Sequence, residues 1–436
     1  MRPKHSIRLP VHGFVEFDGW ERDVINHPVF QRLRRIRQLA FSEHVYPGST
    51  HTRFEHSLGV MHVATRLYDA IAARFEAIIE DRFEHKPQSS NSRKLVRMAA
   101  LLHDVGHAPF SHTGEELMPK KASGRRFTHE DYSAELIRHE MVDVIDNHKD
   151  NHREHFVSAA DIADFYVGHS KFDAQQLFWR VLVNGQLDAD RMDYLLRDSH
   201  HCGVSYGQFD LDRIIDTVAL VANKSEELHG DLQIGVSDGG RHAAEGMILA
   251  RYFMFQQVYF HHVRKAYDFH ASQCLAQMLK ESNGGGQLPD PSTECGRCAF
   301  LELDDWSVLC YIKQAKDDRH AAALLRHKHD RLVHRTHEVA TPTELSKHED
   351  LFEALKDAGL DPWVGDADKE WYKVDSGQIQ IAPKSKSSLE VLTGDQLSKV
   401  SNVVQKIPES KQRLIFVPPE KLDKACEIKK KRRMEG

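Results

Sequence analysis

The sequence predicts a mostly α-helical protein that ends in a small α+β lobe, and three observations carry that expectation. Residues 93–102 include Leu95, Val96, Met98, Ala99, Ala100, Leu101 and Leu102, too many apolar side chains for one exposed face, so the run reads as a buried helix. From Phe54 onward, Leu58, Met61, Ala64, Tyr68, Ile71 and Phe75 recur at helical spacing. Past Thr341 the texture changes: residues 370–374, 378–381 and 413–417 look like short strands bounded by Gly and Pro, interleaved with a helix over 393–405.

Polar and irregular segments connect these elements. Residues 81–92 and 119–126 are polar loops, and 146–155 is a histidine-rich stretch in which His148 and His152 have helical ligand spacing. Its mixed charge favours a solvated segment. Residues 283–291, rich in glycine, break the helical pattern; 301–316 and 319–337 then read as two more helices. Cys295 and Cys298 lack the second pair a zinc knuckle needs and read as a reduced loop pair. The basic run 429–433 reads as a disordered solubilising tail, with nucleic-acid contact as the alternative.

Bulk properties narrow the class. A chain of 436 residues suits one large and one smaller domain. Its 40% hydrophobic content includes no apolar run long enough for a membrane span, so no membrane partner is expected. A start without an apolar core and six scattered cysteines point to a reducing cytoplasm. The net charge of −6 gives no global attraction to nucleic acid.

Chemistry concentrates in residues 101–112, where the apolar run ends in His103-Asp104, with His107 and His112 just beyond. An imidazole beside a carboxylate is half of a divalent-metal site, although such a pair alone is more often a surface turn. Gly106 and Pro109 mark the helix end. His56 lies about 200° around the helix from the Phe54 stripe, on a face with Gly59, Val60, Val63 and Leu67, where a core histidine is the simpler reading. In the third segment, 188–198, acids and bases alternate densely. Arg191, Tyr194 and Asp198 share a helical stripe that could wall a nucleotide pocket, or be a solvated ion-paired face.

These blocks together resemble the HD-domain phosphohydrolases, and among them the bacterial-type deoxynucleoside triphosphate triphosphohydrolases without a sterile alpha motif domain. The resemblance runs through Pro10-Val11-His12-Gly13, Phe30-Gln31-Arg32-Leu33-Arg34, Tyr46-Pro47-Gly48, Arg53-Phe54-Glu55-His56-Ser57-Leu58-Gly59-Val60, His103-Asp104, Thr128-His129-Glu130 and residues 188–201, in the expected order.

The resemblance implies a helical HD-domain catalytic region over 1–338, with its metal core at about 50–200, and a small lobe over 339–436. It implies that His56, His103, Asp104 and Asp190 hold one divalent ion, with Mg, Mn, Fe or Ni as candidates. The implied reaction is water attack on the α-phosphorus of a dNTP, giving triphosphate and a deoxynucleoside. His107, His129 and Glu115 match the acid/base cluster; Arg53, Arg191 and His112 match phosphate contacts. Tyr194 and Asp198 match residues that close on the sugar, and Gln38 and Leu39 those that test the 3′-hydroxyl and pack beneath the ring. A dNTP, an allosteric nucleotide and further copies of the chain, as dimer or tetramer, are the implied partners.

The sequence also departs from the family. Asn26 stands where vertebrate members have an Asp in a guanine-reading site, beside Gln31 and Arg34; an amide holds a different base edge from a carboxylate. Over 251–267 the register is ambiguous by one residue, because Met254-Phe255 and Ala266-Tyr267 both match at the wrong interval. His261, His262, Arg264 and Lys265 therefore receive no fixed roles. Two other readings share the same ligands: an HD-type nuclease or phosphodiesterase, and a non-catalytic nucleotide sensor. Residues 119–126, between the acid/base residues, could act as a lid.

Overall fold

The structure is a computed structural model that describes residues 5–83, 91–151, 156–167, 174–222, 232–283, 285–369, 379–383, 393–408 and 410–434. It opens with an antiparallel hairpin of β1 (His5–Leu9) and β2 (Gly13–Phe17), in register from His5 opposite Phe17 to Leu9 opposite Gly13. Helices then build the core. α1 (Arg53–Phe83) buries Leu58, Met61, Ala64, Tyr68 and Ile71 on the expected stripe, and His56, Gly59, Val60, Val63 and Leu67 on the other side. A helix apolar all round belongs inside. α2 (Ser92–Leu102) is buried at every position from Leu95 to Leu102 and packs along α1.

α3 (His129–Glu140) starts at a capping box in which Thr128 and Asp131 satisfy each other's backbone N–H. α4 (Ala189–Cys202), capped by Asp188, packs against α1 and is ended by Gly203 at φ 68°. β3 (Val218–Ala222) and β4 (Leu232–Ser237) pair antiparallel, and after them come α5 (Arg241–Met254) and α6 (His262–Asn283).

Beyond α6 the structure corrects several expectations. Residues 301–316 are not one helix: α7 (Glu294–Leu301) ends and α8 (Asp305–Gln314) starts afresh, because Asp304 caps it in a reciprocal box with Ser307. Cys295 and Cys298 lie exposed on α7, not in a loop. Residues 319–337 are helical only over Arg319–Leu325; His327 then takes φ 55° and the chain enters β5 (Arg331–Arg335). Sheet pairing with the strand Ser410–Val417 has overridden local helical character there.

The remaining elements are α9 (Pro342–Asp357), β6 (Trp363–Lys369), β7 (Gln380–Ala382), β8 (Asp395–Gln396), β9 (Ser410–Val417) and α10 (Leu422–Met434). The strand expected at 370–374 lies outside the described residues, as does His152. The helix expected over 393–405 is instead two single turns, Leu397–Val400 and Asn402–Gln405, because Ser401 leaves helical geometry and caps the second. The basic run 429–433 belongs to α10, and Lys429 Nζ donates to the Val333 carbonyl at 2.6 Å, so it is not a loose tail.

Two sheets organise the C-terminal half: β3-β4-β7-β8, with β7 parallel to β4, and β5-β9-β6. Along β9 the side chains alternate. Ile415 and Val417 join Leu351, Leu355 and Ala425 of the lobe core, whereas Leu414 and Phe416 meet Ala266 of α6. The lobe sheet is thereby seated on a helix that also reaches the candidate site. Among the described residues, no helix is long and apolar enough to cross a membrane.

Candidate active site

Three helix ends deliver the expected ligands to one point. His56 is in the first turn of α1, His103 and Asp104 leave the end of α2, and Asp190 is in the first turn of α4. His56 Nε2 lies 3.0 Å from Asp190 Oδ1 and 3.6 Å from Asp104 Oδ2; His103 Nε2 lies 3.2 Å from Asp104 Oδ1 and 3.7 Å from Asp190 Oδ1. His103 Nδ1 donates to the Ala100 carbonyl at 2.8 Å, so Nε2 presents its lone pair, buried and without a hydrogen-bond partner. An orphaned imidazole nitrogen facing two carboxylates fits a divalent cation. Arg53 at Asp104, and the two histidines at Asp190, hold both carboxyls far below their usual range although burial pushes them up.

Asp193 organises this centre from behind. Its Oδ2 accepts from His56 Nδ1 at 2.7 Å and from Arg197 Nε at 2.9 Å, and its Oδ1 bonds His12 Nε2 at 2.6 Å and Arg197 Nη2 at 2.8 Å. The bond to His56 turns Nε2 toward the cluster. Gly59 makes the approach of α4 possible: a Cβ there would stand 1.9 Å from Asp193 Oδ1. Burial opposes charge on His56, but the carboxylates of Asp190, Asp193 and Asp104 raise its proton affinity to about 10, so ligation of a cation at Nε2 has to displace a proton.

A second titratable group adjoins the first. His107 Nε2 lies 3.3 Å from Asp104 Oδ1, and its ring stacks on His129 at 3.9 Å. Glu115 Oε1 accepts from His129 Nδ1 at 2.6 Å and lies 3.1 Å from His112 Nδ1. Burial disfavours the charged His129, but Glu115 outweighs it and raises the pKa to about 9. Burial and the charges of Arg53 and His129 instead hold His107 well below its ordinary value. Two stacked imidazoles with opposed proton affinities form a donor and acceptor pair. Gly106 fits this loop against α3, where a Cβ would lie 2.2 Å from Ser133 N. Phe110 and Ser111 take φ 57° and 58°, left-handed values for non-glycine residues that cost roughly 1–3 kcal/mol each.

A cavity of about 730 Å³ touches the first group at Asp190 and the second at His112. Gln38, Leu39, Arg53, His112, Asp190, Arg191, Tyr194 and Asp198, all expected at the site, line it. His112 has a 63% exposed side chain and belongs with Glu115 as much as with any phosphate. Arg191 is paired with Asp188 at 2.6 Å, and burial pushes the Asp188 carboxyl up to about 6. Asp198 is not an open acceptor: its oxygens are engaged by His51 Nε2 at 2.7 Å and the Tyr259 hydroxyl at 2.6 Å. A second cavity, about 500 Å³, lies beside His12, Arg66 and His200 and includes none of the four ligand residues.

Sequence reasoning missed part of the wall. Arg251, Tyr259, Asp268 and, from β6, Trp363 and Asp366 line the same cavity, together with Arg264 and Lys265, which the sequence named without fixing their roles. The one-residue ambiguity in 251–267 has a physical cause: Phe255–Tyr259 is a π-helical turn, which absorbs one extra residue between α5 and α6. That interval was the available signal. The wall from β6 had none, because it is contributed by long-range packing.

Residues 53–198 match the HD domain and residues 209–357 the HD associated region. The chain belongs to the HD-domain phosphohydrolase superfamily, a class of metal-binding hydrolases. It is 32% identical to the uncharacterized protein YwfO of Bacillus subtilis over 368 residues, 81% of this chain and 76% of that protein. It is 30% identical over 321 residues to a protein named deoxynucleoside triphosphate triphosphohydrolase SAMHD1 homolog from Dictyostelium discoideum, covering 70% of this chain and 54% of that one. The chain therefore spans about half the length of that relative. A crystal structure of a hypothetical protein from Aquifex aeolicus superimposes with a TM-score of 0.76 at 27% identity, over 98% of this chain and all of that one.

Proposed function

We propose that the protein hydrolyses deoxynucleoside triphosphates to deoxynucleoside and inorganic triphosphate. The observation that carries the reading is the gathering of His56, His103, Asp104 and Asp190 at one point, with Asp190 also lining a cavity of a size ordinary for nucleotide-sized ligands whose other walls are cationic and sugar-sized. His56, His103, Asp104 and Asp190 would hold a divalent cation, which would supply Lewis-acid polarisation and a more acidic water. Arg53, fixed by Ser111 Oγ at 2.7 Å, and Arg191 meet phosphate oxygens. Water oxygen bonds to the α-phosphorus and yields its proton to the neutral His107 imidazole, the bond to the 5′-oxygen breaks, and that oxygen takes a proton from His129. His129, kept protonated to about 9 by Glu115, is the proton store, and His107 lies between it and Asp104. Gln38, Leu39, Tyr194 and Asp198 then border the sugar, with Asp198 acting chiefly by fixing His51 and Tyr259.

The named relative from Dictyostelium supports the same reading. An activating nucleotide and assembly into homo-oligomers in the cytoplasm belong to the same proposal. The test is the product. Incubation with each dNTP, singly and in pairs, with Mn or Mg should release triphosphate and deoxynucleoside. Mononucleotides released only from DNA, RNA or a cyclic substrate would replace this reading with a nuclease or phosphodiesterase.

A further inference from the structure

The segment Leu303-Asp304-Asp305, which leads into α8, lies under the loop that carries His107 and His112. Buried Arg32 donates from Nη1 to the His107 carbonyl at 2.9 Å and from Nε to the Leu303 carbonyl at 2.8 Å. Asp304 accepts from Arg35. Asp305 has both oxygens engaged by main chain: Oδ1 accepts from Phe110 N and Oδ2 from Arg37 N, each at 2.7 Å. Ser111 completes the junction, its Oγ donating to the Arg37 carbonyl at 2.6 Å. Phe110 and Ser111 are the two left-handed residues, so this turn persists only while its surroundings hold it.

We propose that Asp305 is a positioning residue that clamps the strained Phe110–Ser111 turn to the backbone before Gln38, and so sets His107 and His112 toward Glu115. The proposal rests on the acid/base reading of that cluster. A carboxylate suits the task because two N–H donors from two distant segments need two acceptors; an Asn offers one acceptor and one donor. Around the carboxylate stand Arg32 and Arg37 from the neighbouring segment and, on its own element, Asp304, which Arg35 neutralises. Burial pushes Asp305 up to about 7, against the Phe110 and Arg37 N–H groups and the two arginine charges.

Near neutral pH one added proton removes an acceptor, so both N–H bonds are complete only with the ionised carboxylate. Stability runs the other way. The folded carboxyl holds its proton more tightly than the unfolded one, so its stabilising share is full at low pH and is lost as pH rises through about 7. The geometry that serves the loop is therefore the less stable protonation state.

Residue-resolved amide exchange on the metal-loaded full chain tests this without a mutation. Opening that frees the Phe110 and Arg37 N–H groups also releases the carboxylate to water, so their protection, relative to the unstructured rate, is expected to fall about tenfold between pH 6 and 8.5; protection that stays flat or rises overturns the clamp. In Asp305→Asn, kcat should fall roughly 10–100-fold with KM within about twofold, and the acid limb near pH 7 should disappear. A purely structural role would lower activity with the folded fraction and leave the pH profile in place, and that result, or a wild-type kcat, overturns the proposal. If the variant does not fold, the exchange result on the wild-type chain decides. A wild type that releases no triphosphate from any dNTP removes the proposed function and leaves the exchange test intact.

Discussion

Two histidine groups lie side by side in this protein and are held in opposite ways. At the metal end, residues from helix ends surround one point, and each imidazole has a nitrogen committed elsewhere: His56 to Asp193, His103 to the Ala100 carbonyl. At the other end, His107, His112 and His129 gather from a loop and a helix start around the single carboxylate of Glu115. The first arrangement fixes lone pairs, as ligation requires; the second sets unlike proton affinities against each other, as proton transfer requires. Asp104 joins them, 3.2 Å from His103 and 3.3 Å from His107.

Removing the metal end should break the contrast most. Asp104→Ala or Asp190→Ala is expected to lower metal-dependent turnover at least about 10³-fold, and wild-type rates in either variant would dismiss the ligand assignment. Glu115→Gln acts on the other end and should slow the reaction about 10²-fold. With its pKa raised from 6.5 to about 9, His129 keeps its proton, and its stabilising pairing, until pH passes about 9. Without Glu115 the alkaline limb of kcat should move down toward 6.5; a limb still at about 9 would mean that another group stores the proton. Asp193→Asn should have the smallest effect, a roughly 10–100-fold loss of metal affinity by titration calorimetry with the alkaline limb unmoved. Equal affinity in a folded variant would show that His56 orients itself without it.

The metal end was anticipated through the family resemblance alone: by local pattern His103-Asp104 reads as a surface turn and His56 as a core histidine, and only the spaced blocks taken together linked them to Asp190. Asp193 was not legible: in a charge-dense helix it reads as one more acid, and only the buried Gly59 opposite hints at the contact. Asp305 stands 268 residues from Arg37, whose N–H it accepts, so no local pattern could link them. The C-terminal third suffered most. Arg331–Arg335 has a helix-like neighbourhood and became a strand only through β9. Trp363 reaches the cavity because its ring stacks between Phe269 and Phe416, at 4.1 Å and 4.3 Å.

The π-helical turn at Phe255–Tyr259 sets the angular phase of α6. Each residue advances a helix by about 100°, so deleting one there would swing Arg264, Lys265 and Asp268 off the cavity while the metal ligands, all earlier in the chain, stayed put. A single codon gained or lost at this turn would change which side chains wall the cavity without renumbering or moving the four ligand positions along the earlier helices.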